Sequence, residues 1–378
     1  MKRVCFVLTS PFPVNGFLLN HFRVLADHYS ITLLVNTLEY PLSGLLDTRV
    51  RVVHLPIERK ISPAQDLKVL WRLYRFFRTN RFELVHSITP KAGLLAMLAA
   101  GLAGVPHRIH TFTGQVWANR SGVGRYLLKC LDKVIVFSAN RVLTDSQSQS
   151  DFLEAEGVVK AGEVGVAGPG SISGVDPSRF SPDGAIRETL RKELDISSDA
   201  VVFISIGRIN LEKGILDLVS AFSTFAIRYP EAWLIVAGPD EGRLSERILE
   251  EVGNGLARLR LVPRVVSAED YLAAADVLVL PSYREGFGTV VLEAAAVGLP
   301  TIASRIYGLT DAVQDQVTGL LFPVGDISAL RSAMETMIAD APRRLEMGCA
   351  ARQRALKEFS ADAVSEAWLA EYRVLLAA

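Results

Sequence analysis

Two acids eight positions apart bracket a glycine-rich turn in Glu285-Gly286-Phe287-Gly288-Thr289-Val290-Val291-Leu292-Glu293. A carboxylate accepts hydrogen bonds from hydroxyls and balances cations, so the pair either holds a ligand or sits in water as ordinary surface acid. A basic group lies upstream in SIGRINLEKGILDLVSAF, residues 205–222, where Gly207-Arg208 and Lys213-Gly214 flank a turn that enters a helix. Arginine offers a planar fork and lysine a compact charge. Beside a helix start, whose unpaired N–H groups carry roughly half a positive charge, the two would make an anion site, above all for phosphate. The other reading is a turn whose basic residues point to water. Gly238-Pro239 also sits where a strand should end, and either admits a ligand closely or simply makes the turn.

Strands must carry these groups, because in open α/β sheets ligands bind beyond the carboxyl ends of strands. Apolar runs alternate with helical periodicity along the whole chain. Strands are expected at residues 3–9, 31–36, 51–55, 83–87, 108–112 and 142–144, and again at 201–207, 233–237, 258–262, 277–280, 301–304 and 319–322. This rhythm predicts two parallel sheets, each covered by helices on both faces. On a single continuous helix Glu285 and Glu293 would point about 80° apart, but Gly286 and Gly288 interrupt it. Glu285 is then a loop residue after a strand, and Glu293 lies about one turn into the next helix. Between them the N–H groups of Phe287, Gly288 and Thr289 are free for a ligand.

The chain of 378 residues exceeds what one core usually fills, which predicts two domains. Hydrophobic content of 49% and charged content of 22% describe a globular protein rather than a disordered one. Residues 167–184, rich in Gly, Ser and Pro, read as a linker. The expected division is an N-terminal domain over 1–168, a linker over 169–184, a C-terminal domain over 185–360, and a last helix over 361–378 that either closes the second domain or crosses to the first. Three scattered cysteines fit reduced thiols, and Cys5 falls in an apolar run expected in the core. The basic N-terminus reads as a first strand rather than a signal peptide, so a cytoplasmic location is expected. The apolar stretch 93–105 is too short to span a bilayer and reads as a buried helix.

Net charge is zero, yet up to Gly168 there are 20 Lys and Arg against 12 Asp and Glu, and 21 against 29 afterwards. The first half is thus +8 and the second −8, which suggests that the first faces something anionic. Lys68, Arg72, Arg75 and Arg78 fall along one helical face, and Arg125, Lys129 and Lys133 along another. Such faces are often merely solvated. Nucleic acid is not expected, for want of exposed aromatic clusters and a recognition motif.

Taken in order, Gly207-Arg208, Lys213-Gly214, Ala237-Gly238, Pro281-Ser282, Glu285-Gly286-Phe287-Gly288, Glu293-Ala294, Gly298-Leu299-Pro300, Gly308 and Thr318-Gly319-Leu320-Leu321 resemble the family 4 retaining glycosyltransferases of GT-B fold. The resemblance spans the second domain almost completely. It implies two Rossmann-like domains with a cleft between them. It implies that Arg208 and Lys213 bind a donor diphosphate, that Glu285 hydrogen-bonds the donor sugar, and that Glu293 holds ribose hydroxyls. The amides of Phe287, Gly288 and Thr289 would touch sugar and phosphate, with Gly238 close by. Val262-Pro263-Arg264-Val265 occupies the base-binding position, with Pro263 where glycine is usual, so Arg264 and Val265 are donor candidates. In the first half, Asn15-Gly16 stands where a glycine pair is usual, and Gly16 would let the loop pass the diphosphate. Thr113-Gly114 matches the cleft loop that often reads Thr-x-His-Gly; the histidine is absent, and His110 reads as structural.

The reaction implied is transfer of a sugar from a nucleotide diphosphate sugar, UDP by family frequency, to a glycan or polyprenyl-diphosphate-linked acceptor in bacterial O-antigen or capsule assembly. Glu285, Arg208 and Lys213 are the catalytic candidates. Hydrolytic retaining enzymes use carboxylates about 5 Å apart; the resemblance instead places Glu293 at the ribose, which points to front-face attack without an enzymic nucleophile. No Asp-x-Asp signature follows a suitable strand, so neither metal nor cofactor is expected. With the basic faces, the acceptor favours an anionic membrane surface, at the inner side of the cytoplasmic membrane. Two alternatives share the architecture: a nonhydrolysing sugar-nucleotide epimerase, which would convert donor alone, and a two-lobed sugar-binding protein without catalysis.

Overall fold

A computed structural model gives the structure of the protein; it describes every residue except Glu39, Arg59, Arg264, Val266 and Ala378, and describes Asn254 and Gly255 by backbone alone. The chain divides into two compact units, Met1–Gly174 with Ala361–Ala378, and Val175–Ser360.

The first unit holds seven strands: β1 (Arg3–Val7), β2 (Ser30–Val35), β3 (Arg51–His54), β4 (Leu84–Ser87), β5 (His107–Phe112), β6 (Arg141–Thr144) and β7 (Val164–Val166). All pair in parallel, in the order β3-β2-β1-β4-β5-β6-β7. Side-chain alternation along β1 builds two cores at once. Val4 and Phe6 join the cluster that includes Phe22 and Trp368, while Cys5 and Val7 join the one that includes Leu73, Ala96 and Phe112. The apolar stretch near residue 100 is the helix Pro90–Ala103, packed between the helices Pro63–Asn80 and Gly122–Ser138. Among the described residues no helix is long and apolar enough to cross a membrane. β7 was not expected from sequence, because three residues reading Val-Gly-Val carry no measurable periodicity; its ladder to β6 makes it a strand.

The second unit holds β8 (Val201–Ile206), β9 (Ala232–Ala237), β10 (Leu259–Val262), β11 (Val277–Leu280), β12 (Thr301–Ser304) and β13 (Gly319–Phe322), again all parallel, in the order β10-β9-β8-β11-β12-β13. Here Val202, Ile204 and Ile206 face one core and Phe203 the other. Both sheets are therefore doubly wound, as the βα rhythm predicts. Strand order reverses direction between β8 and β11, so the loops leaving these two strands flank the crevice where such sheets take ligands. Linker residues Val175 and Phe180 are buried in this unit, with the Val175 N–H donating to the Phe359 carbonyl at 2.8 Å.

The final helix, Ala361–Ala377, completes the first unit. Its Trp368 ring lies between two buried histidines, 4.3 Å from His21 and 4.9 Å from His86 by ring centroids. His86 also bridges the hydroxyls of Tyr372, at 2.5 Å, and Thr111, at 2.8 Å. His110 meets Ser87 Oγ at 2.9 Å and is fully buried, the structural role expected of it. Burial pushes His21 down to about 4 and His110 to about 3, and holds His86 well below the usual imidazole range. All three are thus neutral when folded and would bind protons on unfolding. Their contribution to stability is whole above the ordinary imidazole value of about 6.5 and is lost as pH falls from there towards 4. Native-state amide exchange, corrected for its intrinsic pH dependence, should show the final helix losing protection across this window; protection that is constant from pH 6.5 to 4.5 would contradict the assignment.

Candidate active site

The loop after β8 begins at Gly207-Arg208, makes the 3-10 turn Leu211–Lys213, and enters the helix Ile215–Arg228. Asn210 caps the turn by accepting from the Lys213 N–H at 3.2 Å. Two glycines let this loop lie against its neighbours. Gly214 has φ +64°, and a Cβ there would fall 2.0 Å from the Pro281 carbonyl oxygen; at Gly238, φ +133°, it would fall 1.9 Å from that of Gly207. The first contact joins the loops after β8 and β11; the second joins those after β8 and β9. The Tyr283 N–H, donating to the Glu212 carbonyl at 2.9 Å, adds a direct tie.

These contacts bring Lys213 and Glu285, 72 residues apart in sequence, to 2.5 Å between Nζ and Oε1. The same oxygen accepts from Ser282 Oγ at 2.8 Å. Both charged side chains are largely buried, so each depends on the other for its charge. Arg208, more open, pairs with Glu241 at 3.0 Å, and Arg284 pairs with Glu212 at 2.6 Å. Arg208, Lys213 and Arg284 therefore each hold a carboxylate.

Beyond Glu285 the chain passes Phe287 and turns at Gly288, φ +82°, into the helix Thr289–Val297. Phe287 is a core residue, its ring 5.4 Å from that of Phe359, so only its backbone is available to a ligand. The N–H groups of Phe287, Gly288 and Thr289 have no hydrogen-bond partner among the described residues, and no acid occupies the first turn of the helix. The helix start thus keeps unpaired N–H groups and the positive end of its dipole free of any acid.

Glu293 is the fifth residue of this helix, one turn deeper than the stabilising position at its positive end. It is half-buried, and its carboxylate has no hydrogen bond among the described residues. Burial raises its pKa to about 7, with Glu269 adding and Arg179 opposing. Arg179 is itself paired with Glu269 at 2.8 Å. Its two carboxylate oxygens therefore keep their full acceptor capacity.

The structure thus gathers Arg208, Lys213, Gly238, Glu285, Phe287, Gly288, Thr289 and Glu293 at one end of the second sheet. Val265 is half-buried against the core of that unit, and Arg264 lies outside the described residues. Gly16, Thr113 and Gly114 belong to the first unit. Gly16 is exposed in a π-helical turn, Val14–Leu18, with nothing crowding it, and Thr113-Gly114 follows β5 directly. Sequence reading missed Ser282, Glu241 and the Arg179–Glu269 pair. Ser282 sits within the quoted motif, but the other two are set by loops distant in sequence and carry no local signal.

Residues 186–354 match the family model described as glycosyl transferases group 1, and residues 22–170 match the glycosyl transferase 4-like domain. The capsular polysaccharide biosynthesis glycosyltransferase CapM of Staphylococcus aureus is 28% identical over 327 residues, 85% of this chain and 84% of its own. The UDP-Gal:alpha-D-GlcNAc-diphosphoundecaprenol alpha-1,3-galactosyltransferase of Escherichia coli is 28% identical over 79% of this chain and 78% of its own. The alpha-maltose-1-phosphate synthase of Mycolicibacterium smegmatis is 30% identical over 77% and 78%. In fold, sucrose-phosphate synthase from Thermosynechococcus elongatus aligns with a TM-score of 0.82 at 22% identity over the whole of both chains. HepE from Anabaena, in complex with UDP, gives 0.78 at 18% over 99% of this chain and all of its own.

Ionised Glu293 is disfavoured in the folded state: its pKa lies above the ordinary glutamate value, so the penalty is absent below about 4.5 and complete above 7. Glu293→Gln should therefore raise the Tm of the second unit by about 2–4 °C at pH 8 and leave it unchanged at pH 4.5. Thermal melts at the two pH values check this; equal effects at both would show that Glu293 carries no buried charge.

Proposed function

The chain belongs to the group 1 glycosyltransferases, and from that membership we propose that it moves a hexose from a UDP-sugar, with retention at the anomeric carbon, onto a polyprenyl-diphosphate-linked glycan at a membrane surface during polysaccharide assembly. The observation that carries this reading is the convergence of Arg208, Lys213, the free N–H groups of Phe287, Gly288 and Thr289, and two carboxylates at the β8/β11 reversal. The donor and acceptor classes are supported by the name of the relative from E. coli, and polysaccharide assembly by that of the relative from S. aureus.

In the proposed reaction the bond between the anomeric carbon and the donor phosphate oxygen breaks. The acceptor hydroxyl oxygen attacks the same face, its proton passes to a phosphate oxygen, and UDP leaves. Negative charge grows on the phosphate as the bond lengthens, so cations and fixed N–H dipoles aimed there stabilise the transition state more than the ground state. Lys213, drawn to the diphosphate, exchanges its contact with Glu285 for one with phosphate. Glu285 stays anchored by Ser282 and accepts from sugar hydroxyls, which positions the donor. Glu293, unpaired in the free protein, accepts from the ribose. The cationic side chains supply the charge compensation, so the reaction runs without a metal.

Four measurements test this. UDP should raise the Tm more than GDP or ADP at equal concentration, through mass action on the folded state; equal shifts would remove the base preference. Glu285→Gln should lower kcat by on the order of 10²–10³-fold, and a near-normal rate would contradict its role. Transfer should persist in EDTA, and loss restored by a divalent cation would overturn the metal-free reading. Incubation with donor alone separates a transferase from an epimerase, which would give a new sugar nucleotide.

A further inference from the structure

We infer that the helix Gly122–Ser138 is the surface by which this chain enters an anionic lipid bilayer. Its sequence alone suggests a basic face formed by Arg125, Lys129 and Lys133, and the structure corrects that expectation. Arg125 and Lys129 turn back to Glu156, at 2.6 and 2.9 Å, and lie over the Trp117 ring at 5.4 and 5.8 Å. Asp132 and Ile135 anchor the inner side, Asp132 accepting from Trp117 Nε1 at 2.7 Å.

The outer side is apolar. Val123, Tyr126, Leu127, Val134 and Phe137 are 74%, 68%, 57%, 37% and 90% exposed. At 3.6 residues per turn they fall within about 100° of one another, the width of a stripe that normally faces a core. A phenylalanine nine-tenths exposed within such a stripe marks it as surface that a partner covers.

Charge selects the partner. The three adjacent helices Pro63–Asn80, Pro90–Ala103 and Gly122–Ser138 carry eight Lys and Arg, two Asp and no Glu. Of the two acids, Asp132 is buried and Asp66 is paired with Lys91. Lys133 is exposed and borders the stripe. On Pro63–Asn80 the exposed Leu67 and Trp71 stand among Lys68, Arg72, Arg75 and Arg78, with the Arg75 guanidinium 4.7 Å from the Trp71 ring centre. Apposing two copies through this layer would bring like charges together, whereas anionic headgroups neutralise them while the apolar stripe enters the headgroup and acyl boundary. The inference deepens the lipid-linked acceptor reading by naming the surface, and it stands on separate residues.

The test uses the full chain with vesicles of phosphatidylcholine, alone or mixed with phosphatidylglycerol. The parent should float with the mixed vesicles, less so in high salt. Leu127→Ser/Phe137→Ser, changed only at exposed positions and checked for an unaltered Tm, should bind at least about tenfold more weakly, as expected for two large apolar groups left in water. Phe137→Trp should show a blue-shifted emission on adding the mixed vesicles. Equal flotation of parent and double variant, or unmoved emission, would overturn the proposal. So would a parent dimer that the double variant splits, because the stripe would then belong to a second copy. Transfer to a water-soluble acceptor should be unchanged in the double variant. If neither protein transfers sugar while the flotation difference holds, the reaction proposed above fails and the surface remains.

Discussion

A largely buried lysine must have a counter-charge, and in this molecule Lys213 has Glu285. The requirement fixes the geometry around it, because the two residues leave the sheet on neighbouring strands and meet only when their loops are pressed together. Gly214 permits that approach, Tyr283 pins it through its N–H, and Ser282 holds the carboxylate in place. A charge kept in balance inside the protein is also a charge ready for exchange. In the proposed reaction the donor phosphate replaces that one carboxylate contact, and the free protein avoids leaving a bare ammonium.

The same economy extends outward. Arg208 rests on Glu241 and Arg284 on Glu212, so the basic rim is neutralised while the helix start at Thr289 stays open. Glu293 is the exception, since its acid has burial without a partner. Destabilised groups of this kind are retained at functional sites, where the cost is offset when ligand arrives. Phe287 contributes by leaving the site: with its ring fixed in the core beside Phe359, the turn before the helix is held rigid and presents backbone alone.

The first unit divides its work by sheet face. On one face the final helix seats Trp368 and Tyr372 against buried neutral histidines, which ties a segment distant in sequence into the core. On the other, three side-by-side helices present a cationic layer and one apolar stripe outward. The proposed chemistry thus sits in the second unit and the proposed lipid contact in the first.

Twelve strands, their parallel pairing and the double winding follow from period and composition, because a buried parallel strand writes a near-continuous apolar run and each crossover helix writes its own period. The candidate residues stood out for a related reason: Arg208, Lys213 and Glu285 lie in the loops that follow strands and Glu293 about one turn into the next helix, positions that local sequence reveals. What each of them touches was decided by tertiary structure. The pairing of Lys213 with Glu285, the claim of Glu241 on Arg208, the raised pKa of Glu293 and the inward turn of Arg125 and Lys129 all depend on which distant loop or helix end lies alongside. Linear spacing records direction along one element; it holds no distance between two, and electrostatics and burial are functions of distance.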